Sequence, residues 1–255
     1  MSVALGETGA GGRGRGEVLG ATSRREGAEK SVSYTFHWEV PLHNLPAFLW
    51  GALATLEMSG VACLLGLLVA TCGALARLSK RRFLRGAATA YVEAIRNTPF
   101  IVQLFYVYFG LVTVGINLDA FTVAIITLTI NCGAYSTEII RAGIQSIHRG
   151  QTEAGLSLGM TTWQVFRYVI LMPTLRVVWP PLASQFIATM LGSSVVSQIS
   201  AEELTYAGMM LESRTFRTFE IFFFITILYF LMARLFSFLF SLTGQKVFRE
   251  AWGQL

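Results

Sequence analysis

The chain has 255 residues, of which 53% are hydrophobic and 14% charged, with a formal net charge of +5. An ordinary soluble domain carries about a quarter of its residues as charges, so this balance excludes one and favours burial in a bilayer. The surplus of positive charge lies mostly in short connecting segments, where membrane topology calls for it, and gives no support to nucleic-acid binding.

Residues 1–35 are polar and Gly-rich. They hold five basic and four acidic residues, cannot bury a core, and are expected to be a disordered tail; no continuous apolar stretch marks them as a signal peptide. Residues 36–50, with Trp38, Phe48 and Trp50, suit an interfacial lead-in to the first membrane helix. Five stretches then approach the roughly 20 apolar residues needed to cross a bilayer: 49–76, 99–114 with its neighbours, 120–137, 177–200 and 221–242. The transmembrane domain is therefore placed at 51–242 and a cytoplasmic tail at 243–255.

Lysine and arginine in short loops resist translocation. The first loop carries Arg77, Lys80, Arg81, Arg82 and Arg85, the third Arg141, Arg149, Arg167 and Arg176, and the tail Lys246 and Arg249. The second loop carries none, and in the fourth Arg214 and Arg217 are outnumbered by Glu202, Glu203, Glu212 and Glu220. Five spans put the first group on the cytoplasmic side, with the N-terminus outside and the C-terminus inside. Cys63, Cys72 and Cys132 all fall in apolar spans and are expected to be buried thiols.

No catalytic signature is present: there is no HExxH, no GxSxG, and no glycine loop leading to Lys-Ser or Lys-Thr. No catalytic residue, metal ligand or cofactor is expected. A chain of this kind that moves solute against a gradient must draw energy from an ion or from another subunit. The most organised polar segment is EAGLSLGMTTWQVFRYVILMP, residues 153–173. Thr152 and Glu153 suit the start of a helix, and Gly159 a left-handed stop. Thr161 with Gln164 matches a capping box, and Met160 with Val165 a hydrophobic staple. Trp163, Phe166, Val169 and Ile170 give the second helix an apolar stripe, and Pro173 marks its end. The segment reads as helix, glycine turn, helix: either a hairpin lying on lipid or a docking element for a cytosolic partner.

This segment resembles the cytoplasmic EAA loop of type I ABC importer permeases, through Glu153, Ala154, Gly155, Gly159 and Phe166. Gly155 stands where an alanine is usual, and Pro173 comes one residue late. YVEAIRNTPFIVQLFYVYFGL (91–111) and NCGAYSTEIIRAGIQSI (131–147) are similar to the second- and third-helix signatures of the polar amino acid branch. The resemblance implies an all-α membrane fold of about five transmembrane helices with a cytoplasmic coupling helix. It further implies uptake of a polar amino acid or derivative, an opine included. The partners implied are an ABC ATPase subunit dimer, a second permease copy or paralogue, and an extracytoplasmic solute-binding protein. A stand-alone secondary transporter would be expected to show inverted repeats, and none is visible; a membrane scaffold recruiting a cytosolic protein is the other rival.

Polar residues inside the spans are either helix-to-helix hydrogen bonders or pathway lining. Gln103, Asn131 and Tyr135 fall in this class, as do Ser193 and Ser194, where many relatives have a Lys-Asp pair just before. The missing acid there argues against a site dedicated to a cationic side chain. Glu57, Glu138 and Arg234 are ionisable groups within spans and become site candidates by default. Glu138 with Arg141, and Glu93 with Arg96, are spaced to pair, while Thr98-Pro99 reads as the cap of the second span.

Overall fold

The computed structural model describes residues 36–250, so the expectations for the N-terminal tail and for 251–255 lie outside it. Among the described residues every regular element is helical. A short helix α1 (Glu39–His43) leads into α2 (Leu45–Leu78), then α3 (Arg82–Arg96), α4 (Phe100–Thr113), α5 (Ala120–Gln145) and α6 (Arg149–Ser157). One turn, α7 (Thr162–Gln164), runs through a π-helical segment Val165–Ile170 into α8 (Leu171–Gly192) and a 3-10 segment Ser193–Ile199; α9 (Leu204–Thr215) and α10 (Thr218–Glu250) complete the chain. Among the described residues four helices are long and apolar enough to cross a membrane: α2, α5, the continuous run Thr162–Ile199, and α10.

The fifth expected span, 99–114, is α4, whose 14 residues rise only about 21 Å, against the roughly 30 Å of a hydrocarbon core. It is short because the chain breaks at 97–99. Pro99 (φ −61°, ψ 140°) is itself the residue before α4, and a proline pushes its predecessor out of the helical region. Thr98 therefore does not cap α4 as expected. Its hydroxyl turns back and donates to the carbonyl oxygen of Ala94 at 2.9 Å, closing the end of α3. The amphipathic α3 is tied to α5 by the Tyr91 hydroxyl, which donates to Ile130 O at 2.6 Å.

The centre of the molecule is the packing of α2 on α5, made close by small residues. A Cβ on Gly66 would lie 3.1 Å from Cys132 Sγ, and one on Gly133 would lie 2.8 Å from Val69. Small faces let membrane helices approach where lipid gives no hydrophobic drive. Around them lie two apolar cores, one of Met58, Leu104, Leu128 and Val196, the other of Phe48, Met190, Leu204, Ile221 and Met232. Phe48, expected at the interface, is buried, whereas Trp50 is exposed. Cys63 and Cys132 are buried as expected; Cys72 points outward.

The fourth loop is not a simple connection. Ser200 turns left-handed at φ 60° and the chain continues as α9, about 18 Å long. This short helix sits against α2 at Gly51, where a Cβ would lie 2.9 Å from Leu204 Cα and 3.2 Å from Glu203 O. Backbone atoms cannot step aside as a side-chain tip can. Gly51→Val is therefore expected to cost about 1–3 kcal/mol by overpacking. It should lower the thermal midpoint of the detergent-purified protein and expose 200–217 to protease. A variant with unchanged midpoint and protection would mean that α9 is not seated on α2.

Candidate functional site

The polar segment singled out in the sequence folds as a tight hairpin. The preceding residue, His148, is extended (ψ 132°), and α6 starts at Arg149. Thr152 and Glu153 are thus inside the helix rather than at its start, because nothing in Arg149-Gly150-Gln151 stops the helix from beginning a turn earlier. Gly159 has φ +79°, and the backbone closes around it: Gly159 N donates to Leu156 O at 3.0 Å and Met160 N to Gly155 O at 3.2 Å. That pairing is a left-handed helix stop in which glycine carries no steric penalty. Both arms of the capping box form, Thr161 N to Gln164 Oε1 at 2.8 Å and Gln164 N to Thr161 Oγ1 at 3.3 Å.

Gly155 is the hinge of packing inside this hairpin. It is buried, and a Cβ there would lie 3.0 Å from Val165 Cγ2 and 3.5 Å from Met160 Sδ, so the two staple residues close over it. Outside, Glu153 and Ala154 are exposed, and Leu158 and Trp163 are 83% and 66% exposed. Phe166 is half-buried and stacks on Trp163 with ring centroids 5.8 Å apart. Pro173 does not end the second helix. Its missing N–H would strand a carbonyl one turn back, and just upstream the chain widens to π-type pairing, with Leu171 N donating to Phe166 O. The helix then continues through the proline.

A second feature is a polar cavity of about 310 Å³ lined by Arg77, Val92, Glu93, Arg96, Asn97, Tyr135 and Glu138. The expected Glu138–Arg141 pair is present at 2.8 Å, and Arg77 from α2 joins it on the other carboxylate oxygen. The expected Glu93–Arg96 pair is absent from the ion pairs of the described residues. The Arg96 guanidinium instead lies 5.2 Å from the centre of the Tyr135 ring, a favourable cation–π arrangement.

The five pathway candidates do not converge. Gln103 Nε2 donates to Ile95 O at 2.6 Å and Thr98 O at 2.9 Å, while its Oε1 accepts from Asn131 Nδ2 at 3.0 Å. These two residues seal the break between α3 and α4 and tie it to α5. Tyr135, one turn further on, faces the cavity. Ser193 and Ser194 donate to the carbonyls of Met190 and Leu191 at the end of α8 and are not among the cavity-lining residues. Glu57 and Arg234 are exposed on α2 and α10.

Sequence reasoning missed Glu203, treated there as one of several loop acids. It is 1% exposed and caps α9, accepting from Tyr206 N at 2.9 Å. Its other oxygen accepts from the Tyr229 hydroxyl at 2.6 Å and Thr55 Oγ1 at 3.3 Å, and Thr55 Oγ1 in turn accepts from Leu204 N at 3.2 Å. One carboxyl thus joins α2, α9 and α10. Burial holds its pKa above the ordinary value, against the lowering effect of the hydrogen bonds from Tyr229, the α9 backbone and Thr55. The local signal that could have found it is the cap spacing of Glu203 ahead of Leu204, Thr205 and Tyr206.

Helices long and apolar enough to span, joined by a rigid polar hairpin, are the architecture of a multi-pass membrane protein. The chain belongs to the family of binding-protein-dependent transport system inner membrane components, which it matches over residues 62–249. It is 35% identical over 206 residues to the glutamine transport system permease protein GlnP of Escherichia coli (strain K12), covering 80% of this chain and 94% of that one. It is 41% identical over 159 residues to the L-cystine transport system permease protein TcyB of Bacillus subtilis (strain 168), covering 62% and 68%. It is 33% identical over 191 residues to the nopaline transport system permease protein NocM of Agrobacterium fabrum, covering 71% and 79%. The crystal structure of an amino acid ABC transporter with histidines aligns with a TM-score of 0.78 at 38% identity, over 84% of this chain and all of that one. The fold is that of a type I ABC importer permease, and members of the family work with ATPase and binding-protein subunits.

The raised pKa of Glu203 sets a sign for the pH dependence of stability. The folded value lies above the unfolded one near 4.5, so the contribution is largest below that pH and is lost as pH rises through the folded value. Glu203→Gln is expected to flatten the dependence of the thermal midpoint on pH above 4.5. Glu203→Leu, which leaves three buried donors without their acceptor, should lower stability by about 1–3 kcal/mol. An identical pH slope in wild type and Glu203→Gln would exclude this carboxyl as its source.

Proposed function

We propose that the chain is the translocating permease of an ATP-driven importer that carries a polar amino acid or amino acid derivative into the cell. The observation that carries this reading is the hairpin of α6 and α7. It is held by a left-handed glycine, a capping box and an internal staple, yet presents Leu158 and Trp163 outward. A surface both rigid and apolar suits docking into a cleft on a cytosolic ATPase subunit dimer, with Glu153, Ala154 and Phe166 alongside. ATP hydrolysis belongs to those separate subunits. With the short α4 counted as a fifth crossing, the arginine-bearing loops favour an orientation with this hairpin and the C-terminus in the cytoplasm and the N-terminus outside. A second permease copy or paralogue completes the pore, and an extracytoplasmic binding protein delivers the solute.

The nature of the relatives supports the substrate class, since glutamine, cystine and the opine nopaline appear in their names. The cavity supports it chemically. Glu93 and Arg96 present both signs of charge within 310 Å³, which suits a zwitterion, and Tyr135 adds a polar ring face. Gln103 and Asn131, engaged with each other, hold the wall of this region rather than touch solute. Ser193 and Ser194 shape the end of α8.

Gly159→Val is expected to cost on the order of 1–2 kcal/mol at the left-handed turn and to redirect α7, and Glu153→Lys to reverse charge on the docking face. Both variants should insert and accept the loaded binding protein, but lose solute-stimulated ATP hydrolysis or ATPase binding. Import at the unmodified rate in both would favour a hairpin lying on lipid. For the cavity, Tyr135→Ala is expected to change solute selectivity or the transport KM with assembly intact. Asn131→Ala should reduce thermal stability by about 0.5–1.5 kcal/mol, the worth of one hydrogen bond. Unchanged transport in Tyr135→Ala would remove the cavity from the pathway.

A further inference from the structure

The connection that follows α2 brings Lys80, Arg81, Arg82 and Arg85 together, and the nearest acids along the chain are Glu57 and Glu93. Among the described residues none of these four cations is in an ion pair, and the whole run 80–87 is exposed. Within α3, Arg82, Arg85, Thr89, Glu93 and Arg96 follow one another at intervals of three or four residues and share one face, while Phe83, Ala87, Tyr91 and Ala94 lie on the opposite one. The two halves of the helix differ in what covers them. The C-terminal half is seated on the protein, with Val92 buried and Tyr91 donating to Ile130 O on α5. The N-terminal half is bare: Phe83 is 84% and Leu84 40% exposed.

The position of this bare half relative to the bilayer follows from α2. That helix is apolar on its outer side as far as Leu75, exposed within a turn of the helix end at Leu78. Such a surface calls for lipid, so α2 ends at the bilayer surface, and Lys80 follows two residues later. With 15 residues, α3 rises about 22 Å and is too short to cross. A helix with a basic face and Phe and Leu opposite lies in the interface, with its apolar side at the boundary between headgroups and acyl chains. A cluster of at least four cations directly beyond a spanning helix attracts anionic lipid. Phe83 and Leu84 separate Arg82 from Arg85 in the chain, and this alternation fits a surface that offers phosphate and hydrocarbon at nearly one depth.

We infer that the first two turns of α3, with Lys80 and Arg81, form a docking surface for anionic phospholipid of the cytoplasmic leaflet: the four cations meet lipid phosphates, and Phe83 and Leu84 enter the acyl boundary. The leaflet rests on the orientation proposed above, whereas the contact with anionic lipid does not. Glu93 and Arg96, on the same helix, line the polar cavity. Lipid that holds one end of α3 therefore steadies the cavity wall at the other.

The test places a reporter at Phe83. Phe83→Trp is made in the whole permease–ATPase complex, which is reconstituted in vesicles of phosphatidylcholine and phosphatidylglycerol with one or the other lipid brominated on its acyl chains. Fluorescence of the unmodified complex is subtracted. The added indole should be quenched by both brominated lipids, and more by phosphatidylglycerol at equal mole fraction. Arg82→Gln with Arg85→Gln should lower that preference on the order of tenfold, two surface cations being lost, and Arg82→Lys with Arg85→Lys should keep it. Absence of quenching overturns the membrane contact. Equal quenching by the two lipids, or a preference unchanged in the glutamine variant, overturns the anionic site. Release of the ATPase subunits from the glutamine variant overturns it too, because these cations would then hold protein. Lys80→Cys, in a chain whose Cys63, Cys72 and Cys132 are replaced by Ala, should be labelled only from the cytoplasmic side. Labelling from outside alone overturns the proposed orientation and the leaflet, whereas cytoplasmic labelling without lipid preference overturns the lipid surface alone.

Discussion

A bilayer offers no water to a backbone amide or carbonyl, so each place where a membrane helix stops must be closed by the protein itself. Two of the helix breaks among the described residues, at 97–99 and at 200–203, are closed by the same device. At the first, Gln103 reaches back to the carbonyls of Ile95 and Thr98 and is steadied by Asn131 from α5. At the second, Glu203 and Thr55 take up the amides of Tyr206 and Leu204 and are steadied by Tyr229 from α10. In both, a polar side chain that satisfies the break is anchored by a different long helix. The polar groups inside the spans are thus mostly committed to structure.

What remains for function is at the ends of this framework. The hairpin is not isolated from the body, because its second limb is continuous with α8, and α8 packs on α5 where Gly143 faces Val178. Further along, α5 carries Tyr135 and Glu138 into the polar cavity. A displacement of the hairpin has a continuous helix along which to act. Under the proposed coupling, ATP-driven closure of the partner subunits would act on the cavity by imposing a second arrangement of these packed faces.

The parts legible in the sequence were those fixed by neighbours along the chain. Gly159 and the Thr161 and Gln164 box depend on residues within a turn or two, and four of the five expected spans are, among the described residues, helices long and apolar enough to cross a membrane. The motif resemblance, too, carried fold and family. The misreadings have a common cause. Thr98 and Pro173 obey local rules that more than one geometry can satisfy: the threonine closed the helix behind it instead of the one ahead, and the helix widened instead of ending. The distant partners of Glu203, Gln103 and Arg96 were illegible in another way, since Thr55 and Tyr229, Asn131, and Tyr135 lie far away in sequence, and only helix packing brings them together. The short helix α9 was hidden because twelve residues of mixed polarity resemble a loop until Gly51 supplies the seat.

The π-helical segment Val165–Ile170 has a consequence for chain length. A ring closed from residue i to i+5 holds one more residue than the usual α-helical ring, and this chain carries its proline one position later than the pattern it resembles. The wide turn can absorb that surplus locally. Upstream, the glycine stop and the capping box keep their spacing, and downstream Thr174 and Val178 keep the inward face of α8 against α5. Two chains that differ by one residue here can therefore present the same hairpin surface and the same buried face, and an alignment gap at this point would mark an accommodated insertion with no change of register on either side.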